Sequence, residues 1–227
     1  MLFTSLVQLF FPHLCEGCQR DLARRENILC MRCVRRLPVT GFQRYVNNPV
    51  ERAFSGRVGI RNAMAGYYYT QTSMLQQLIH RFKYRRRKDI ALYLGRRLGH
   101  MLLESGWLHE IEGIVPVPLN TVKEQHRGYN QAALLAAGIA AVVQKPVFDQ
   151  VLHREHRAGS QTRRGRSSRW ENVSDAFTVK DAATLYNRHL LLVDDVITTG
   201  ATTEACSHAL LAAGASVSIC SLAFTSD

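Results

Sequence analysis

One stretch constrains the fold more than any other: "LLLVDDVITTGATTEACSHALLAAGA", residues 190–215. Four apolar residues lead into the adjacent carboxylates of Asp194 and Asp195, a run of small residues follows, and a helix-like pattern resumes near Thr203. A short apolar run bounded by turn residues is typical of a buried strand. The stretch therefore predicts a strand, a tight turn and a helix, with two acids at the carboxyl end of the strand.

The second half of the chain alternates short apolar strands with helical segments. From residue 111 the strand-like pieces are "IEGIVPVPL", "VFDQVL", "HLLLVDDVI" and "SVSICSLAFT", and the helix-like pieces are "QAALLAAGIAAVV" and "TTEACSHALLAAG". This alternation predicts βαβ units and an α/β fold with a mostly parallel sheet flanked by helices. In such sheets ligands bind at the carboxyl ends of the strands, which is where the two acids are expected.

The turn after the acids has the features of a phosphate site. Backbone N–H groups of a tight turn, together with the positive end of the following helix, form a cradle for a phosphate. Gly200 and Ala201 let the backbone approach closely, and the hydroxyls of Thr198, Thr199 and Thr202 add donors. The two carboxylates would repel a phosphate unless they face a hydroxyl-rich part of the ligand, such as a ribose. An ordinary strand-turn-helix junction is the alternative interpretation.

The order of strand, two acids, two apolar residues and T-T-G-A-T resembles the ribose-5-phosphate signature of type I phosphoribosyltransferases, which use phosphoribosyl pyrophosphate (PRPP). The resemblance implies that the two acids hold the ribose hydroxyls, partly through Mg²⁺, and that the turn wraps the 5-phosphate. The competing phosphate motifs G-x4-G-K-[ST] and G-x-G-x-x-G do not occur in the chain. The residues implied for phosphoribosyl binding are Asp194, Asp195, Thr198, Thr199, Gly200, Ala201 and Thr202.

Four of the six cysteines, Cys15, Cys18, Cys30 and Cys33, follow the spacing C-x2-C-x11-C-x2-C. Two such knuckles complete the tetrahedral site that Zn²⁺ prefers, and four sulfur ligands leave no position open for water. A structural zinc ion is therefore expected. Disulfides or a redox pair are the alternatives, and disulfides fit poorly with a chain in which we find no export signal.

Positive charge is concentrated in the first half of the chain. Residues 1–105 carry 18 Lys and Arg against 6 Asp and Glu, whereas residues 106–227 carry 11 against 12. Such an excess indicates contact with a polyanion or an acidic surface, and a merely well-solvated surface is the alternative.

The densest basic run is "RFKYRRRK", between two helical segments. Cations that follow a backbone and aromatics that stack on bases are the ingredients of single-stranded DNA binding. In the alternative, Phe82 belongs to the core and the cations are a solvated helix end. The predicted nucleic-acid contacts are Arg81, Lys83, Tyr84, Arg85, Arg86, Arg87 and Lys88.

Two further segments narrow the resemblance. "IVPVPLNTVKEQHRGYNQAALLA" combines a P-x-P strand end with R-G-Y-N-Q opening a helix, and "HREHRAGSQTRRGRSSRWENVSDAFTV" is a long polar segment. With the cysteine knuckles, the whole chain resembles ComF/GntX-type proteins, which are associated with competence, uptake of single-stranded DNA and use of external DNA as a nutrient. The resemblance implies a mobile lid from Arg154 to Arg169, for which a solvated loop is the alternative. The implied pyrophosphate-loop residues are Val117, Pro118, Leu119, Asn120, Arg127, Asn130 and Gln131.

Three functional hypotheses follow. The first is a DNA-uptake or DNA-utilisation protein that binds single-stranded DNA and a phosphoribosyl ligand. The second is an active PRPP-dependent phosphoribosyltransferase with an unknown acceptor, and the third is a zinc-stabilised adaptor that docks on a helicase or a membrane DNA-transport machine. Purine-type transferases place an acid where Thr198 stands, to act as a base toward the purine. This chain lacks that acid, so no catalytic residue is assigned.

The expected organisation is a zinc-binding module over residues 1–40, a basic connecting region over 41–110 and a phosphoribosyltransferase-like domain over 111–227. No stretch approaches about 18 consecutive apolar residues, the length that a membrane span requires. The opening "MLFTSLVQLFFPHL" lacks the features of an export signal and is expected to form a short amphipathic element. A cytoplasmic protein with no integral membrane segment is expected.

Overall fold

The structure is a computed structural model that describes residues 13–154 and 177–225. The predicted amphipathic opening lies almost entirely outside the described residues. All of the predicted lid except Arg154 lies outside them too.

The described helices and strands follow the alternation expected from the sequence. The helices are α1 (Met31–Arg35), α2 (Pro49–Phe54), α3 (Met74–Tyr84), α4 (Lys88–Leu103), α5 (Thr121–Arg127), α6 (Gln131–Val143), α7 (Ala182–Leu185) and α8 (Ala201–Ala212). The strands are β1 (Ala63–Tyr68), β2 (Gly113–Pro116), β3 (Leu152–Arg154), β4 (Phe177–Val179), β5 (His189–Ile197) and β6 (Ser216–Phe224). Among these helices, none has the length and apolar character needed to cross a bilayer.

The main sheet is parallel, with strand order β1-β6-β5-β2. Strand β6 and the first half of β5 are buried on both faces because helices cover the sheet on both sides, as is usual for parallel sheets. Strand β2 pairs only with Leu190–Val193, whereas β5 continues to Ile197. The sheet therefore opens on the β2 side from Asp194 onward. A second, antiparallel sheet consists of β3 and β4.

Helix α3 shows why its sequence folds as predicted. The hydroxyl of Ser73 accepts a hydrogen bond from the Gln76 amide at 3.1 Å, which caps the helix. The apolar residues of its first turns are buried against the core, as the helical spacing predicted. Phe82 is fully buried as well, so the core alternative was right for this aromatic side chain.

Two details of the second half differ from the expectation. The segment "VFDQVL" is not a strand: Val147 forms a single bridge with Ile114, and the strand begins only at Leu152. The polar pair Asp149 and Gln150 forms a turn between them, which interrupts the extended run. In addition, α8 begins at residue 201, two residues before the expected start near residue 203.

Candidate functional site

Asp194 and Asp195 lie on β5, beyond the point where β2 ends. The carboxylate of Asp194 accepts hydrogen bonds from the Thr203 hydroxyl at 3.0 Å and from the Asp195 amide at 2.7 Å. Burial and the neighbouring Asp195 carboxylate raise the pKa of Asp194 to about 7. Near neutral pH, the two acids together therefore carry less than two full negative charges.

Asp195 contacts the basic run. The ammonium of Lys83, from α3, lies 2.7 Å from Asp195 Oδ2, and the two side chains are only 19% and 17% exposed. Lys83 was predicted as a nucleic-acid contact, and the structure places it against the acidic pair. The basic run and the acidic pair therefore share one face, which the sequence alone could not indicate.

A pocket of about 200 Å³ lies in the opening of the sheet. Lys83 and Arg154 line it together with most of the residues predicted for phosphoribosyl and pyrophosphate binding. The predicted residues that line it are Val117, Pro118, Leu119, Arg127, Asn130, Gln131, Asp194, Asp195 and Thr202.

The loop after β2 is held in place by the start of α6. Asn130 accepts a hydrogen bond from the Ala132 amide and donates one to the Val117 carbonyl, both at 3.0 Å. Arg127 donates to Gln131 at 2.6 Å. By contrast, Asn120 caps α5 and lies outside the described lining of the pocket.

The turn between β5 and α8 has an uncapped helix start. Gly200 adopts φ +75°, and no side chain in the described part of the chain caps α8. The Ala201 amide donates to the Thr199 hydroxyl at 3.5 Å, and the next amides of the first turn have no helical acceptor. Thr199 and Ala201 form the turn beside Gly200, and Thr198 faces a second, larger cavity.

Arg57 contacts this turn and the following helix and holds them together. This residue was not identified from the sequence. Its guanidinium donates to the Thr199 carbonyl at 3.0 Å and pairs with Glu204 of α8. The ring of Phe54, from α2, lies so close to Gly200 that an added Cβ would meet it at 3.0 Å. No local pattern marks Arg57, because Thr199 lies 142 residues further along the chain.

The second cavity is a groove of about 1270 Å³ bounded by α3, the first cysteine knuckle and the end of β5. Arg81 and Arg87 both pair with Glu16, which lies between the first two cysteines. Lys88 stacks on a tyrosine ring, and neither Lys88 nor Arg86 belongs to the described lining. The predicted nucleic-acid residues that line the groove are Arg81, Lys83, Tyr84, Arg85 and Arg87.

The four cysteines of the knuckles form one cluster. All four sulfur atoms lie within 4.8 Å of one another, and the described cysteines are free thiols. The amides of Cys30 and Gly17 donate to the sulfur of Cys15 at 3.2 and 3.4 Å. Burial opposes ionisation of Cys15, but these backbone hydrogen bonds lower the pKa of its thiol to about 7. The cluster could hold a zinc ion with four sulfur ligands.

Comparison with known proteins finds relatives of this chain. The chain is 28% identical over 216 residues to Competence protein F of Haemophilus influenzae, covering 88% of this chain and 92% of that protein. It is 32% identical over 147 residues to the DNA utilization protein YhgH of Salmonella typhimurium, covering 63% of this chain and 64% of that protein. By their names, these relatives are competence and DNA-utilisation proteins. No protein-family model matches this chain.

The predicted α/β architecture is confirmed: a parallel sheet flanked by helices, with a four-cysteine cluster near the amino terminus. Glutamine PRPP amidotransferase from B. subtilis, solved with ADP and GMP, matches with a TM-score of 0.43 at 20% identity, over 62% of this chain and 30% of that one. Orotate phosphoribosyltransferase from Aeropyrum pernix matches with a TM-score of 0.36 at 15% identity, over 77% and 90%. Nothing about chemistry follows from likenesses of this degree.

Proposed function

We propose that this protein binds a phosphoribosyl ligand, PRPP or a related sugar phosphate, in the pocket at the opening of the sheet. The observation that carries the proposal is convergence on one pocket. The aspartate pair, the loop anchored by Asn130 and the start of α8 all meet there.

Each part of the pocket suits a different part of such a ligand. The carboxylates of Asp194 and Asp195 accept hydrogen bonds from ribose hydroxyls. The hydroxyl of Thr202, in the first turn of α8, donates to a 5-phosphate, which the positive end of that helix also attracts. The guanidinium of Arg127 offers charge to a pyrophosphate. Hard carboxylate oxygens also suit Mg²⁺, which would neutralise part of the pyrophosphate charge.

The second half of the proposal is that the protein handles single-stranded DNA in a competence or DNA-utilisation role. The names of the relatives refer to these processes, and the basic run supplies cations and the exposed ring of Tyr84. A zinc ion in the four-cysteine cluster would stabilise one wall of the groove that carries this run. Docking on a helicase or a membrane DNA-transport machine, through exposed cations such as Arg86, stays a prediction.

A transferase is the second candidate function. The groove opens beside Asp195 and Thr198, so an acceptor could reach a sugar phosphate held in the pocket. The acceptor and the proton-accepting group stay unassigned.

Isothermal titration tests the first half of the proposal. PRPP and ribose 5-phosphate are titrated in Mg²⁺ into the wild type and into Asp194→Asn/Asp195→Asn. We expect the variant to bind at least about tenfold more weakly, the loss expected for about 1.4 kcal/mol. Asp181→Asn, an exposed acid outside the pocket, is the matched control and keeps wild-type affinity. Failure of the wild type to bind either compound refutes the proposal.

A further inference from the structure

The groove and the pocket are adjoining cavities. Lys83, Asp195 and Val196 line both of them. A ligand in one cavity therefore contacts the same side chains as a ligand in the other, and the two halves of the proposed function meet at the Lys83–Asp195 ion pair.

The groove has the chemistry of a site for a base-carrying strand. The half-exposed ring of Tyr84 lies between His80 and the Arg127 guanidinium, so a base that stacks on it takes the place of one of these neighbours. The side-chain amides of Gln76 and Gln77 can donate to and accept from base edges. Glu16 already neutralises part of the charge of two arginines, which leaves Arg85 as an exposed cation on this wall. A cavity of about 1270 Å³ is several times larger than the pocket, so it suits consecutive nucleotides better than one small molecule.

Each ligand competes with the Lys83–Asp195 ion pair for one of its two side chains. A ribose in the pocket needs the carboxylate of Asp195, and a strand phosphate in the groove needs the ammonium of Lys83. Because both side chains are largely shielded from water, each ligand on its own must break the same ion pair. The ligand that binds second meets the pair already broken.

We propose that the groove binds single-stranded nucleic acid and that the Lys83–Asp195 pair couples strand and sugar phosphate, so that each increases the affinity of the other. This inference rests on the proposed function. Repulsion between the two anionic ligands opposes the effect, and salt screens only those of their charges that are exposed to water and more than about 8 Å apart.

The test is a linkage cycle. The affinity for PRPP is measured with and without saturating ten-residue oligo-dT, and the affinity for the oligonucleotide with and without PRPP, both in Mg²⁺ and 150 mM salt. We expect tightening by at least about fivefold, by the same factor in both directions, because coupling is reciprocal.

Lys83→Met keeps the length and apolar stem of the side chain but removes the ammonium. In this variant the oligonucleotide binds more weakly because it loses the ammonium of Lys83, PRPP no longer has an ion pair to break, and the coupling factor falls to about one. Arg86→Met removes an exposed cation outside the described groove lining and is the matched control, which keeps the coupling.

The position of the strand is tested separately. Tyr84→Ala weakens oligonucleotide binding, since base stacking on an aromatic side chain is worth about 1 to 3 kcal/mol per base, whereas Tyr45→Ala, an exposed tyrosine outside the described lining, does not. A wild-type coupling factor of one or below, coupling that survives in Lys83→Met, or strand binding unaffected by Tyr84→Ala overturns the inference. Absence of PRPP binding by the wild type refutes the proposed function itself, and the inference with it.

Discussion

At the scale of single residues, Gly200 determines the shape of the turn that begins α8. Its φ of +75° is a left-handed conformation that L side chains rarely adopt, and the ring of Phe54 occupies the space where a Cβ would lie. Conformation and packing therefore both favour glycine at this position, and Phe54 fixes the turn from a helix far away in the chain.

We expect Gly200→Ala to reduce the free energy of unfolding by about 2 kcal/mol, through left-handed strain and contact with the ring. Gly56→Ala is the matched control, because Gly56 has φ +73° and nothing within 4 Å of an added Cβ; it loses only the strain, about 1 kcal/mol. Urea denaturation measures both. PRPP affinity should fall only in Gly200→Ala, and equal losses of stability would show that the ring does not matter.

Asp194 should make stability depend on pH. Its pKa in the folded protein, about 7, lies above the 3.8 of an ordinary aspartate, so the folded state binds this proton more tightly than the unfolded state. The stabilisation is fully present below about pH 4 and is lost as the pH rises through 7. Urea denaturation at several pH values should therefore show Asp194→Asn gaining stability relative to the wild type between about pH 4 and 7, with no further gain above that range. A difference that does not vary with pH would contradict this.

At the residue scale, some contacts of the site could be predicted from the sequence and others could not. Asp194, Asp195 and the turn are adjacent in the chain, so their order was enough to predict that they act together. The Lys83–Asp195 pair and the contact of Arg57 with Thr199 depend on how distant helices fold onto β5. No local pattern contains that information.

At the scale of elements, α4 and α6 pack with their backbones almost in contact. A Cβ on Gly138 would lie 2.5 Å from the Leu92 carbonyl oxygen and 2.8 Å from the Cα of Gly95. Helix α6 carries the pocket residues Gln131 and Ala132 at its start, so this close packing also positions the pocket.

We expect Gly138→Ala to destabilise the protein by about 2 kcal/mol. Alanine is favoured over glycine in a helix by about 1 kcal/mol, but the methyl group would press on main-chain atoms that cannot move without displacing a helix. Gly106→Ala, with nothing within 4 Å of its Cβ, is the control and should change stability by less than about 0.5 kcal/mol. Urea denaturation measures both, and a stabilised Gly138→Ala would show that the helices can separate at little cost.

Long, strongly patterned elements were predictable from the sequence, and short mixed ones were not. The apolar runs of β5 and β6 and the alanine-rich α6 correspond to continuous stretches of the chain. "VFDQVL" has strand-like composition, but Asp149 and Gln150 turn in its middle. The start of α8 was misplaced because Gly200 supplies the turn geometry two residues earlier than the hydrophobic pattern suggests.

At the scale of the whole molecule, ion pairs connect the segment of the cysteine cluster to the basic run that lines the groove. Glu16, between Cys15 and Cys18, pairs with Arg81 and Arg87, which flank Lys83 in the chain. The segment of the first cysteine knuckle thus forms one wall of the groove. Loss of its fold should affect the groove more than the pocket.

We expect Cys18→Ser/Cys30→Ser to lose a zinc ion that the wild type carries, measured by mass spectrometry of the purified protein. Oligo-dT binding should weaken more than PRPP binding, because Glu16 contacts the groove and not the described lining of the pocket. Cys206→Ala changes a buried cysteine of α8 outside the cluster and should keep the metal. Equal weakening of both ligands would indicate global unfolding instead.

The early end of β2 has a lasting consequence. The pocket arises where β2 stops pairing and β5 continues. Its position is therefore set by the hydrogen bonds between the strands and not by the sequence of any loop. Exchanging loops among related chains should thus change which ligand binds and how tightly it binds, while the position of the pocket stays the same.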